Sequence, residues 1–406
     1  MKTVIIGAGK EALHTIKKAK EQGLMVIAMD GDPDAAGLKE ADKAAVVNIS
    51  DEEETIAAVK EIKPDFLLTV PIGRYLTTTG AVNDALGLPG IPKEAAENCT
   101  DKWRFHQLLQ QRGLRDTGCW LMKNRKDGEA FLSSKEEVRF PVILKPRYGS
   151  GSRGLFVAED EDKLKEAFAF LFAQEEAVEE YILEECADGE EYGIDGAVIE
   201  GEFHLVLLRK KENTPFPARQ AVAYFSVSPK DEFYRQVEGY LRETIAVLNL
   251  QECLVHGDII RSRKGPFAIE LSARPSGHNL HNLFTPLATG VDMAEEYIRY
   301  RMGKEYSFTA GDTKRLMIHY FDLEGRIERV PDVKEAEKLA EQKGCKLLGW
   351  ECGIQPGEIL EKVSDGHSLM GRGYVILEGK REGIAEEELK QTAEEIKAEF
   401  KQKKGR

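Results

Sequence analysis

The sequence predicts an α/β protein of more than one domain, and three observations carry that reading. Short β-branched runs alternate with helical periods over the first stretch of the chain, Gly and Pro punctuate the joints, and 406 residues is enough for roughly two to three cores. From Thr3 to about Gly90 the order is strand Val4 to Ile6, helix Glu11 to Glu21, strand Met25 to Met29, strand Ala45 to Ile49, helix Asp51 to Ile62 and strand Asp65 to Val70. That alternation argues a parallel sheet covered by helices. The turn-rich stretch Leu88-Pro89-Gly90-Ile91-Pro92 closes the unit.

Beyond it, the spacing predicts a helix over 100–113 with Thr100 as N-cap, a strand from Cys119 to Met122, a helix from Asp127 to Glu136 and a strong strand from Phe140 to Lys145. A glycine-rich turn follows, then strand Leu155 to Ala158, helix Glu161 to Phe172 and strand Val178 to Leu183. Tyr192 to Ile199, Phe203 to Leu208 and Ala221 to Val227 read as antiparallel strands of a second sheet, and helix Glu232 to Leu248 leads into strands Leu254 to Arg261 and Pro266 to Leu271. From about Ser307 short strands (Arg315 to Tyr320, Cys345 to Trp350, Gly373 to Leu377) mix with helices Val333 to Gln342 and Ile384 to Gln402, a small α+β unit. No internal repeat is visible.

Composition narrows the function. The net charge is −14, with 42% hydrophobic and 32% charged residues, the balance of a soluble globular protein with an acidic surface. Such a field repels nucleic-acid phosphates and anionic lipid, so neither nucleic acid nor membrane is an expected partner. The amino terminus enters a strand directly, without a secretory leader, and no apolar run approaches the roughly 18 residues of a spanning helix. Six scattered cysteines without a CxxC pair suggest free thiols in a reducing compartment, and the expected location is cytoplasmic.

Three motifs could carry chemistry. Gly7-Ala8-Gly9-Lys10-Glu11-Ala12 opens a helix after a strand, with Asp30 ending the next strand, which matches the GxGxxA dinucleotide fingerprint of a Rossmann-like domain. A tight β-to-α turn needs the same glycines whatever its ligand, so the pattern alone does not name a nicotinamide. Sharper is Lys145-Pro146-Arg147-Tyr148-Gly149-Ser150-Gly151-Ser152-Arg153-Gly154, where a strand delivers a lysine and a flexible loop of glycines and serines returns into another strand. Backbone N–H groups freed to turn toward an anion, hydroxyl donors and an adjacent cation make a phosphate cradle. It is not a Walker A loop, because the lysine precedes the glycines and a strand follows. Third, Asp258 and Glu270 sit in apolar strands joined by a short hairpin. Side by side, two carboxylates would repel each other unless a hard cation such as magnesium lay between them, and the bland alternative points one of them to solvent.

Taken in order, the KPxxGSGSxG loop, the Glu-Glu-Cys-Ala-Asp-Gly-Glu-Glu stretch at 184–191 and the ExSxR at 270–274 resemble the ATP-grasp superfamily over roughly residues 1–305. The resemblance implies an ATP-grasp fold. It has an N-terminal Rossmann-like domain over 1–95, an ATP-grasp domain over 96–305 with a lid subdomain about 118–187, and a small α+β C-terminal domain over 306–406. It also implies ATP and Mg2+ (or Mn2+) as cofactors. Lys102 and Lys145 would approach the nucleotide phosphates, Gly149, Ser150, Gly151 and Ser152 would form the lid loop, and Glu184, Glu185 and Ala187 would fall at the adenine hinge. Glu191 would take the ribose, Asp258 and Glu270 the metal, and Arg274 the charge that develops during transfer. Ser272 stands where the family often has Asn, a poorer metal ligand, which puts a second magnesium in doubt. Arg74, Ser276, His278 and His281 are candidates for substrate contact, against solvent-facing or capping roles.

The activity so implied is an ADP-forming ligase that joins a carboxylate to an amine through an acyl phosphate, making a dipeptide or related amide. The C-terminal portion, with Gly371-Arg372-Gly373-Tyr374, looks like that of amino-acid ligase and carbamoyl-phosphate-synthase-like members. The alternatives are a bicarbonate-using carboxylase of the biotin-carboxylase or purine-pathway type and a nucleotide-binding protein without ligase activity. Expected partners are small-molecule carboxylate and amine substrates, and a homodimer is compatible with the pattern. Specificity should come from the Gly7 to Ala12 turn, the Pro71 to Tyr75 stretch, Ser276 to Asn282 and the terminal domain.

Overall fold

A computed structural model describes residues 1–134, 137–149, 154–171, 180–215, 219–364, 366–369, 371–380 and 386–403. The first four strands, β1 (Lys2–Ile6), β2 (Met25–Asp30), β3 (Lys43–Val46) and β4 (Phe66–Leu68), form a parallel sheet in the order β3-β2-β1-β4. Strands β1 and β4 are buried almost throughout, which is why they read as unbroken apolar runs. The carboxylate of Asp30 accepts the Ala8 N–H at 2.6 Å and the Asp32 N–H at 3.0 Å, so it fastens the glycine turn to the strand ends. The acidic residue of the dinucleotide pattern thus has a structural task here.

A second sheet, ordered β5-β8-β6-β7, is built from β5 (Cys119–Met122), β6 (Val142–Pro146), β7 (Phe156–Ala158) and β8 (Tyr181–Glu185). The loop between β6 and β7 is the predicted phosphate cradle. Gly149 at its start and Gly154 at its end both have positive φ (118° and 67°), while Ser150, Gly151 and Ser152 lie outside the described residues.

The largest sheet has eight strands. Strands β9 (Glu190–Ile199), β10 (Glu202–Asn213), β11 (Ala221–Val227), β12 (Cys253–Ser262) and β13 (Gly265–Ser272) continue into β14 (Leu316–Tyr320), β16 (Cys345–Cys352) and β18 (Gly373–Gly379), in the order β13-β12-β9-β10-β11-β14-β18-β16. The terminal section therefore extends the central sheet through the pairing of β11 with β14. Strands β15 (Gly325–Ile327), β17 (Ile359–Leu360) and β19 (Gln402–Lys403) make a small sheet beside it. On one side, helix Glu232–Leu248, capped by Asp231, buries Phe233, Val237, Leu241 and Ile245 in the core of the central sheet. On the other, Ala197, Val206 and Leu254 share a core with Ile5, Ile16 and Val26 of the N-terminal unit.

Some local expectations shift. Helix Lys102–Gln111 is capped by Asp101, whose carboxylate accepts from Trp103 N and Arg104 N; Thr100 instead ends the preceding helix Lys93–Thr100. Helix Leu76–Leu86, with Thr77, Thr78, Thr79 and Gly80 in its first turns, has poor intrinsic propensity and forms through burial of Leu76, Thr78, Thr79 and Val82. Among the described residues all six cysteines are free, and no helix is long and apolar enough to cross a membrane.

Candidate functional site

A cavity of about 500 Å3 opens between the lid sheet, the central sheet and the N-terminal unit, within the range of small-ligand sites. Strand β6 brings Lys145 to its wall, and the start of the glycine loop lies near Lys102, whose Nζ donates to the Gly149 carbonyl at 2.7 Å. Lys102 reaches it because Asp101 starts the helix there and also binds Arg147 of the same loop, the guanidinium Nε at 2.9 Å.

Lys145 donates to Glu184 on β8 at 2.5 Å. Glu184 is 3% exposed and also pairs with Arg115, and His106 Nδ1 lies 3.6 Å away. One carboxylate thus serves two cations in a buried position. Burial first, then Arg115 and Lys102, pull Lys145 down to about 7. The Glu184 carboxylate is therefore spent on these cations.

Glu185 and Cys186 form the wall beyond. The Glu185 carboxylate accepts from Gly118 N (2.9 Å) and from Arg139, while the main-chain N–H groups of Glu185 and Cys186 go to the Gly118 and Pro141 carbonyls, each at 3.0 Å. Ala187 and Glu191 line the cavity too, and Glu191 is paired with Arg219.

At the opposite wall Asp258 on β12 stands in register with Glu270 on β13, and both face the cavity. The bulge after Asp258 makes Ile269 the extra residue of β13. Ser272 pairs with His256 in the same ladder but is not among the residues that line the cavity. Arg274 follows, half-buried, its guanidinium donating to the Pro275 carbonyl at 3.0 Å. Ser276 and His278 line the same end of the cavity, whereas His281 is fully buried behind them, its Nδ1 against the Ser276 carbonyl and its ring 5.8 Å from that of His14. Arg74 is exposed, 5.9 Å over the Tyr75 ring, and lies outside the cavity lining.

Lys211, Arg209 and His256 are among the lining residues that were not anticipated. Lys211 on β10 donates to Asp258 at 2.6 Å. Burial, the largest influence, opposes its charge, but Asp258, Tyr224 and Glu191 together outweigh burial and hold Lys211 above the usual lysine range. Arg209, two residues earlier on the same face, is buried against Asp195, which Thr285 Oγ1 also binds at 2.6 Å. His256 presents a ring nitrogen, Nε2, without a hydrogen-bond partner among the described atoms, and burial, then Arg274 and Arg209, keep its imidazole well below the usual range and so uncharged. Glu11 lines the cavity as well, from the Gly7 to Ala12 turn that was expected to contribute to specificity. The signal for Lys211 and Arg209 was their alternation in Leu207-Leu208-Arg209-Lys210-Lys211, which puts both on one face of a strand.

The family model of the ATP-grasp domain matches residues 138–281, the interval holding the glycine loop, Asp258, Glu270 and Arg274. Residues 138–281 are an ATP-grasp domain. Among curated relatives, the D-alanine–D-alanine ligase of Clostridium perfringens is 27% identical over 306 residues, 72% of this chain and 90% of that one. Among solved structures, an L-amino acid ligase from Bacillus licheniformis superposes with TM-score 0.78 at 19% identity, covering 98% and 97% of the two chains. The N5-carboxyaminoimidazole ribonucleotide synthetase from Thermotoga maritima gives 0.68 at 18% identity, covering 98% of each. The chain spans only 66% and 48% of the length of two other curated relatives. These likenesses fix the fold.

ATP-grasp sites take ATP with magnesium, and solved structures of this fold hold ADP and magnesium ADP. The donor set here fits both. Asp258 and Glu270 supply hard oxygen ligands on facing strands. Lys102 and Lys145 supply the cations that a polyphosphate needs, and Gly149 lines the same cavity.

Proposed function

We propose that this ATP-grasp protein is an ATP-dependent carboxylate–amine ligase that forms an amide through an acyl phosphate and releases ADP and phosphate. One observation supports it above the others: Lys102, Lys145, Asp258, Glu270 and Arg274 meet in a single cavity whose end is lined by Ser276 and His278. In this reading Lys145 and Lys102 bind the phosphates, and Asp258 and Glu270 hold the magnesium, which neutralises charge on the transferred phosphoryl group. Arg274 stabilises first the substrate carboxylate and then the oxyanion formed when the amine adds to the acyl phosphate. The lid sheet closes over the nucleotide and keeps water from that reactive intermediate. The product would be a dipeptide-like amide of two small molecules.

The test is ADP release with a panel of carboxylates and amines, alongside Glu270→Gln. Turnover that needs both a carboxylate and an amine, and falls by about two to three orders of magnitude in Glu270→Gln, supports the reading. Turnover that needs bicarbonate in place of the carboxylate would replace it with a carboxylase. Nucleotide binding without turnover on any pair would leave a binding protein.

A further inference from the structure

Four residues beyond Arg274 the chain takes a conformation that side chains rarely adopt. His278 and Asn279 both have left-handed backbone, φ 57° and 59°, and Asn279 then leads directly into a π-helical turn, Leu280–Phe284. Consecutive left-handed residues other than glycine persist only where the surroundings hold them, and π turns concentrate at functional places.

Here the surroundings are two side chains from opposite ends of the sequence. The Glu11 carboxylate, from the glycine turn of the N-terminal unit, accepts the His278 N–H at 3.0 Å. The Tyr320 hydroxyl, at the end of β14, donates to the His278 carbonyl at 2.6 Å. Both main-chain groups of one residue are thus gripped from separate parts of the fold. Tyr320 is 6% exposed and packed between the rings of Tyr224 and Tyr374, so its hydroxyl has little freedom to point elsewhere. His278 itself is exposed, and it lines the cavity next to Ser276 and Gly277. Behind it the loop is braced by His281 on the Ser276 carbonyl and by Leu280 N on Gly277 O at 3.1 Å.

We propose that Glu11 and Tyr320 are positioning residues that act through His278, fixing its main chain so that its imidazole selects the nucleophile admitted beside Arg274. The inference rests on the ligase reading above and adds to it the residue that chooses the second substrate. The sequence argument for the placement is simple: the loop begins at the arginine that meets the acyl group, so its next exposed side chain stands where an attacking amine must pass.

The experiment compares a small nucleophile, hydroxylamine, with a large one, L-phenylalanine, using whichever carboxylate supports ADP release. It measures kcat/KM for each in wild type, Tyr320→Phe, Glu11→Ala, Glu11→Gln and His278→Ala. A shift of the small-to-large ratio by about tenfold or more in Tyr320→Phe and Glu11→Ala, with the KM for ATP unchanged, is expected. Glu11→Gln, which keeps an acceptor for the His278 N–H, should retain the wild-type ratio. In a His278→Ala background the Tyr320→Phe change should no longer alter the ratio, because the group it positions is gone.

An unchanged ratio in both Tyr320→Phe and Glu11→Ala overturns the inference and leaves the ligase reading intact. So does a KM for ATP that rises in step with the loss, which marks general damage to the fold. Glu11→Gln behaving like Glu11→Ala overturns it for Glu11, since the charge and not the bond would then be the agent. Wild-type protein that makes no hydroxamate from any carboxylate overturns the ligase reading and this inference with it.

Discussion

Lys211 Nζ sits 2.6 Å from Asp258 Oδ2, the carboxylate that stands in register with Glu270. An internal ammonium thereby neutralises one of the two carboxylates and lowers the repulsion between them. Were magnesium held by Asp258 and Glu270, Lys211 would have to give up Asp258, and its ammonium would remain on the wall of the cavity that the phosphates would enter.

Lys211→Met follows from that pairing. The methionine retains most of the stem but leaves Asp258 facing Glu270 uncompensated, which should cost about 1 to 3 kcal/mol of stability in chelator. Millimolar magnesium should recover much of the loss in Lys211→Met and little in wild type. Thermal melts of both proteins with and without magnesium check this, and equal melting temperatures in chelator would show that the lysine is not needed to hold the pair.

Glu184→Gln should be among the most damaging single changes in the ATP-grasp domain. It keeps the shape but strands Arg115 and Lys145 together in a site that is 3% exposed, and breaking a buried pair in this way costs about 3 to 5 kcal/mol. Chemical denaturation measures it. A loss under about 1 kcal/mol would mean that water or a shifted side chain replaces the carboxylate.

Much of this was legible in the chain, and the exceptions have physical reasons. The parallel sheet of the N-terminal unit and the hairpin of Asp258 and Glu270 follow from apolar runs with well-placed breakers, and helix Val333–Gln342 forms over the predicted residues, with Asp332 and Glu335 as its capping box. The apolar run predicts strand β10 only over Phe203 to Leu208; it runs on to Asn213 since Arg209 meets Asp195 and Lys211 meets Asp258 inside the fold. Charge in a strand is invisible as a core feature until its partners, dozens of residues away, are known. The same holds for Glu184, whose place beside Arg115 and Lys145 no local pattern reveals. Glu11, in a turn whose glycines drew attention to dinucleotides, reaches His278 through a contact spanning most of the chain.

The stability of the protein should fall as pH drops below about 6.5, in part through His106. Burial, then Arg115, depress its imidazole from 6.5 to about 3, and its Nε2 lies 3.1 Å from the Thr117 carbonyl. Its neighbour Glu184 is already shared by two cations, so a third positive charge is repelled. The unfolded chain gains a proton below 6.5 while the folded one does not until about 3, so the stabilisation is present above 6.5 and lost progressively on acidification through that window. The loss should approach about 1.4 kcal/mol per pH unit from this group. Unfolding free energies of wild type and His106→Gln at pH 6.5 and 4.5 isolate it: the difference between the two proteins should change by about 2 to 3 kcal/mol, and parallel curves would assign the acid sensitivity elsewhere.

Nucleotide binding should take up a proton at alkaline pH, and Lys145 is the reason. Its pKa is drawn down to about 7 by burial, then by Arg115, which competes for the same Glu184 carboxylate, and by Lys102. A bound polyphosphate brings negative charge to this lysine and restores its proton. Below pH 7 the lysine already carries that proton, so affinity is flat with respect to this group; above it each unit of pH removes up to about tenfold in affinity until the bound-state pKa is passed. Calorimetry of a non-hydrolysable ATP analogue with magnesium, in buffers of different ionisation enthalpy at pH 6.0 and 8.5, reads the proton count directly. Uptake is expected at 8.5 and not at 6.0, and Lys145→Arg, whose guanidinium stays charged throughout, should lose the difference. Buffer-independent heats at pH 8.5 in wild type would show that the Glu184 carboxylate at 2.5 Å keeps Lys145 charged in the free protein.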